Sequence, residues 1–254
     1  MTEPAFPSAP PSSPKRAGVS KVLLVMIVVA VLGVAAGVYG VGRIMVGYEA
    51  YKIPGAHMSP TLVPGDQIVV RRANGTEVHR GDLVAIDAGA FAQPSHEGVS
   101  VFRVVGLAGD TVACCTDRHL SVNGKPITEP YINPGDDTPF GFSAKVPGGA
   151  IFVEGDNRGN SDDSRFSGPV RLSGVIGFVV ATGTVITPRP LAPVTAFTDA
   201  GLPGTPYSDS TIPTLPWWLL GGFVLFLAGL IGVIVSAVRS AGRRRRAAAV
   251  PPAH

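Results

Sequence analysis

Two uncharged apolar runs, Val22–Gly42 and Trp217–Val238, frame the chain and leave few folds open to it. Each has about the 20 residues that carry a helix across the hydrocarbon core of a bilayer. A cleavable signal peptide competes for the first run, but its apolar core is normally only about 7–15 residues long, so an anchor is favoured. Gly33, Gly37 and Gly40 lower helix propensity in water, whereas lipid tolerates glycine and glycine permits close helix packing. Trp217 and Trp218 stand where interfacial aromatics belong. Lys15, Arg16 and Lys21 precede the first run, and Arg239 and Arg243 to Arg246 follow the second. Positive charge stays on the cytoplasmic side. Both termini are therefore expected in the cytoplasm and the stretch from about Tyr48 to Leu215 outside it, in a two-pass plasma-membrane protein. The Arg run can bind anionic headgroups of membrane lipid. Each basic cluster abuts an apolar run, so no nucleic-acid partner is expected.

The segments then read as follows: 1–20 a Pro-, Ser- and Ala-rich disordered cytoplasmic tail, 21–43 a transmembrane helix, 46–186 a β domain, 187–215 a Pro/Thr-rich extended linker, 216–238 the second transmembrane helix, and 239–254 a basic cytoplasmic tail. The β assignment rests on short β-branched runs closed by Gly and Asp turns. These are Gln67–Arg71, Leu83–Ile86, Val99–Val105, Leu120–Val122 before the Asn123-Gly124 hairpin signal, Ala150–Val153 and Val175–Val185. No clear amphipathic helix interrupts them, which indicates an all-β domain.

Three motifs carry chemistry. The first is Ile53-Pro54-Gly55-Ala56-His57-Met58-Ser59-Pro60-Thr61-Leu62, followed by Val63-Pro64-Gly65-Asp66. The second is Phe102-Arg103-Val104-Val105-Gly106-Leu107-Ala108-Gly109-Asp110, and the third runs from Gly155 to Arg165 as GDNRGNSDDSR. Together they resemble the type I signal peptidases, membrane-anchored Ser-Lys proteases that remove signal peptides. The resemblance covers about Val46 to Gly177. It implies the catalytic fold of that family and a groove that takes an extended peptide by strand addition, with small pockets for the Ala-x-Ala residues before a cleavage site. Ile53, Pro54 and Met58, with Val101 and Val104, are the implied substrate wall.

In that family a serine attacks and a lysine takes its proton, which requires desolvation to lower the lysine pKa. The nucleophile motif is Pro-Ser-x-Ser-Met-x-Pro-Thr-Leu. Pro54, Met58, Pro60, Thr61 and Leu62 match it, but the oxyanion serine falls on Gly55 and the nucleophile on His57. The base motif is Lys-Arg-x-x-Gly-x-x-Gly-Asp. Arg103, Gly106, Gly109 and Asp110 match, and the lysine falls on Phe102, which cannot accept a proton. The remaining domain lysines, Lys52, Lys125 and Lys145, occupy no motif position. The third motif matches at nine of eleven positions. The resemblance makes Ser161 the residue that orients the lysine and gives Asp163 and Arg165 a structural ion pair; Asp156, Asn157 and Arg158 belong to the same framework.

The expectation is a family member that binds signal peptides of exported precursors with its classical activity impaired. It can also serve an active signal peptidase paralogue. One alternative is an active peptidase with a rearranged site: in an extended segment Ser59 and His57 share a face and could pair as nucleophile and base. A second alternative is a membrane scaffold. His79 and His96 are further bases without a marking context. A metal site of His57, Asp110, Asp156 and Asp163 is disfavoured by the structural roles the resemblance gives those aspartates, so neither a metal nor another cofactor is expected. Cys114 and Cys115 could be a vicinal disulfide, two thiols or an intermolecular bridge.

Overall fold

A computed structural model describes residues 20–73, 77–95, 97–116, 119–133 and 140–248. Helix α1 spans Lys21–Gly47 and opens on a capping serine, since Ser20 Oγ accepts the Leu23 N–H at 3.1 Å. Twelve strands follow: β1 (Tyr48–Lys52), β2 (Gln67–Arg72), β3 (Leu83–Asp87), β4 (Val99–Gly106), β5 (Thr111–Thr116), β6 (His119–Val122), β7 (Lys125–Pro126), β8 (Phe142–Lys145), β9 (Ala150–Glu154), β10 (Val170–Arg171), β11 (Val175–Gly183) and β12 (Pro188–Pro190). Short helices α2 (Ser164–Ser167) and α3 (Ala196–Asp199) make the domain mainly rather than wholly β, and α4 (Leu215–Ala248) closes the chain. Both long helices are long and apolar enough to cross a membrane. They outrun the apolar stretches. Alpha1 runs on to Gly47, and α4 continues through the Arg run, whose Arg and Ala residues are strong helix formers.

The chain divides into two compact units. One holds the helix segments up to Gly37 and from Gly221. Here glycine is required by close approach: a Cβ at Gly33 would meet the Phe226 backbone nitrogen, and one at Gly229 the backbone of Ala30. The other unit, Val38–Leu220, contains both sheets.

The larger sheet has the order β1-β2-β11-β3-β4-β9-β10, with β12 paired to β11; the smaller runs β7-β6-β5-β8. All pairings are antiparallel. Successive residues of a strand point to opposite faces, and here both faces of the larger sheet are covered. Val69, Val84, Ile86, Phe102 and Val104 enter one core, while Ile68, Val70, Leu83, Ala85 and Val101 enter another. Continuous apolar runs such as Leu83–Ile86 follow from that double burial. The β6–β7 hairpin turns at Asn123 and Gly124, with φ of 54° and 76°, as its Asn-Gly signal requires. Cys114 and Cys115 are bridged to each other.

Residues 187–215, expected as an extended linker, instead strap the domain. Phe197 and Leu202 are buried in a third core with Val112, Leu120 and Phe152. Tyr207 stacks on Phe178 at 4.5 Å, and its N–H reaches Asp82 Oδ1 at 2.6 Å. Ile212 and Leu215 are fully buried. The Pro/Thr bias masks these widely spaced apolar anchors. Phe197→Ala should therefore destabilise the full-length protein by about 3–5 kcal/mol, as for a core aromatic, where a free linker would register less than about 0.5 kcal/mol. Chemical unfolding followed by near-ultraviolet circular dichroism measures the difference.

Candidate active site

The first motif folds as a closed turn. Ile53 N–H bonds Asp66 O and Gly65 N–H bonds Ile53 O, both at 2.8 Å, so the two ends are tied together. Inside it, Ser59 N–H reaches Ala56 O and Leu62 N–H reaches Met58 O, each at 3.0 Å. The backbone is therefore turned, and the extended geometry that would put His57 and Ser59 on one face is absent. Ser59 Oγ instead donates to Leu62 O at 3.4 Å. Ile53, Met58 and Leu62 anchor the turn in the core beneath β2 and β3. Of the implied substrate wall, Pro54 is exposed, whereas Ile53, Met58, Val101 and Val104 are buried.

The turn carries His57 to Phe102 of β4. Their ring centroids lie 5.2 Å apart at a tilt of 46°, and Phe91 meets Phe102 edge-on at 5.6 Å. His57 Nε2 is 2.9 Å from Val101 O. A carbonyl only accepts, so Nε2 carries the proton and a neutral ring keeps its lone pair on Nδ1. A Cβ at Gly55 would sit 3.1 Å from that Nδ1. The three departures from the family pattern thus form one packed unit: Gly55 leaves space for the imidazole, and Phe102 gives it an aromatic neighbour.

Charged residues hold this unit from behind. Arg103 grips Asp156 with both ends of its guanidinium, Nε to Oδ1 at 2.8 Å and Nη2 to Oδ2 at 2.6 Å, and Nη1 bonds Gly81 O at 2.9 Å. Thr61 Oγ1 also donates to Asp156, so all three motifs meet at one carboxylate. Arg103 lies over the Tyr131 ring at 4.1 Å. Arg158 binds Glu129 through two nitrogens and Glu154 at 2.9 Å. Asp163 pairs with Arg165 at 2.7 Å, accepts the Gly155 N–H, and caps α2. Asn157 ties the site shut from the third motif: its N–H bonds His57 O at 3.0 Å and its amide bonds Ala56 O at 3.1 Å. Gly155 must be glycine, because a Cβ there would collide with His57 O and Ser161 Oγ. Ser161 Oγ is buried with no hydrogen-bond partner among the described residues.

Asp110, Asp156 and Asp163 belong to three separate pairs, with Arg80, Arg103 and Arg165. His79 faces Asp82 at 3.9 Å, and His96 lies outside the described residues. Sequence reasoning missed Glu129, Tyr131 and Glu154. None sits in a motif, and only the fold brings them to Arg158 and Arg103; the buried acidic end of the otherwise apolar run Ala150–Glu154 was the one available signal.

Four carboxyls (Glu129, Glu154, Asp156, Asp163) thus surround three guanidiniums. One proton balances the group. Burial, with Asp163 and Glu129 adding to it against Arg158, pushes the Glu154 carboxyl from 4.5 up to about 7. A carboxyl whose pKa is raised by folding binds more protons in the folded state than in the unfolded one, so stability falls as pH rises from about 4.5 to about 7. Its contribution to that fall is at most roughly 3 kcal/mol, at 1.36 kcal/mol per pH unit. Glu154→Gln should flatten the slope across this window; thermal unfolding at stepped pH measures it.

Comparison with known proteins follows the same geometry. The family model for "Signal peptidase, peptidase S26" matches residues 22–183. Signal peptidase I V of Bacillus subtilis (strain 168) is 35% identical over 144 residues, 51% of this chain and 82% of that protein. Signal peptidase I of Bacillus caldolyticus is 35% identical over 147 residues, 52% of this chain and 77% of that protein. A crystal structure of a signal peptidase I from Enterococcus faecalis V583 aligns at 29% identity and a TM-score of 0.36, covering 41% of this chain and 97% of that one. Matched across its first apolar helix and most of its larger sheet, the chain belongs to the signal peptidase family, peptidase S26.

Proposed function

We propose that this protein is a membrane-anchored, catalytically silent member of the family that binds the signal peptides of exported precursors. The observation that carries this is the His57–Phe102 ring pair at the dyad positions. Neither residue can play its family role, because His57 has no hydroxyl to attack with and Phe102 no amine to receive a proton. In a comparable serine protease, losing the nucleophile or the base costs on the order of a million-fold in turnover. The orphaned Ser161 Oγ fits the same account: a hydroxyl whose family role is to orient a lysine amine has lost its amine. Ser59 is a poor replacement nucleophile, since its hydroxyl is committed to Leu62 O. The peptide-binding reading is supported by the closed turn, the β4 strand beside it, and the buried Arg103–Asp156 pair that holds both.

The charge bias of the two apolar helices supports both termini in the cytoplasm and the β domain outside the plasma membrane. In that place the protein would hold precursors at the membrane, alone or beside an active paralogue.

The test uses purified full-length protein in detergent with an Ala-x-Ala precursor. The native protein should leave the precursor intact, yet crosslink to a photoreactive signal peptide, and Trp at both Ala positions should abolish the crosslink. The triple substitution Gly55→Ser, His57→Ser, Phe102→Lys should bring cleavage from undetectable to measurable. Cleavage by the native protein that Ser59→Ala removes would overturn the proposal in favour of a relocated nucleophile. Crosslinking indifferent to the Ala positions would instead point to a scaffold.

A further inference from the structure

Among the described residues, strand β4 lacks a second strand partner at its end beside His57. Pairing with β9 begins at Arg103 and continues to Gly106, whereas among the described residues Val99 to Phe102 pair only with β3. Backbone groups along a strand alternate between its two neighbours. Val104 turns its N–H to Asp82 O and its C=O to Gly81 N–H, on the β3 side. One and three residues back, Arg103 and Val101 face the other way, the side on which β9 pairs with Arg103. Val101 O is thus the next rung of the ladder for an added strand, and the His57 imidazole occupies it at 2.9 Å.

We infer that His57 is a resident stand-in for the backbone N–H of a bound peptide, a gate that an incoming strand must displace from the Val101 carbonyl. The inference rests on the peptide-binding reading above. Three features favour an occupied rung over a chance contact. The ring is held at its base, since His57 O accepts the Asn157 N–H at 3.0 Å. It packs against Phe102, and Gly55 gives it room. The side chain is only partly buried, so the ring can leave toward solvent without opening the core. The peptide class this gate admits is an extended segment able to present an N–H at the Val101 rung, and proline at that residue is excluded. Both imidazole and imidazolium donate through Nε2, so acid does not open the gate.

The experiment measures binding of a fluorescent ten-residue Ala-x-Ala peptide to full-length protein and to His57→Ala. A second peptide carries an ester in place of the one amide whose N–H faces Val101. Removing the competitor should tighten binding of the amide peptide about fivefold, the net worth of one hydrogen bond. The ester peptide must displace the same ring without satisfying the carbonyl, so it should gain equally from His57→Ala but bind each protein about fivefold more weakly than the amide peptide. Equal affinity of the amide peptide for both proteins overturns the gate while leaving peptide binding intact, as does equal affinity of the amide and ester peptides for His57→Ala. Absence of binding to either protein overturns the peptide-binding reading, and the gate with it. Should His57→Ala fail to fold, nitrogen-15 histidine spectra of the native protein decide: the His57 Nε2–H signal should shift on saturation with the amide peptide, and an unmoved signal overturns the gate.

Discussion

The site depends on one buried ion pair. Arg103 comes from β4, Asp156 from the loop after β9, and the Thr61 hydroxyl from the turn before β2. Sequence separations of 42 to 95 residues are closed at a single carboxylate. A buried pair of this kind adds little net stability against an apolar replacement, because desolvation offsets most of the attraction, but removing one partner leaves a bare charge and is costly. Its effect is to fix position: with Arg103 held, its neighbours Phe102 and Val101 are held, and with Asp156 held, Asn157 and Gly155 are aimed at the backbone of His57.

The framework around the turn and β4 is fully engaged, and where they meet stand an imidazole and a phenyl ring. The replacements are mutually consistent. Glycine at 55 leaves room beside the imidazole at 57, and an aromatic ring at 102 packs both on His57 and on Phe91. Such agreement among neighbours is what separates a repacked site from an accumulation of defects. Among the described residues, the buried Ser161 hydroxyl has no hydrogen-bond partner.

Some of this was legible in the chain. The resemblance of Gly155 to Arg165 to its family motif implied the Asp163–Arg165 pair, which is present at 2.7 Å. Asn123-Gly124 announced its hairpin through the positive φ that only such residues adopt readily. Other features were hidden. Phe197, Leu202 and Ile212 lie scattered through a Pro/Thr-rich segment, and no periodicity marks them as core residues. The turn that separates Ser59 from His57 looked extended, because its closing bonds join Ile53 to Gly65 and Asp66.

By itself the sequence determined two apolar helices and a mainly β domain between them, because hydropathy and turn residues are local properties of the chain. Only the tertiary structure decided where His57 points, which carboxyls gather around Arg158, and that the proline-rich segment is a strap. Those are matters of distance between residues far apart in sequence. Burial alone sets their energies, and burial exists only once the sheets have closed.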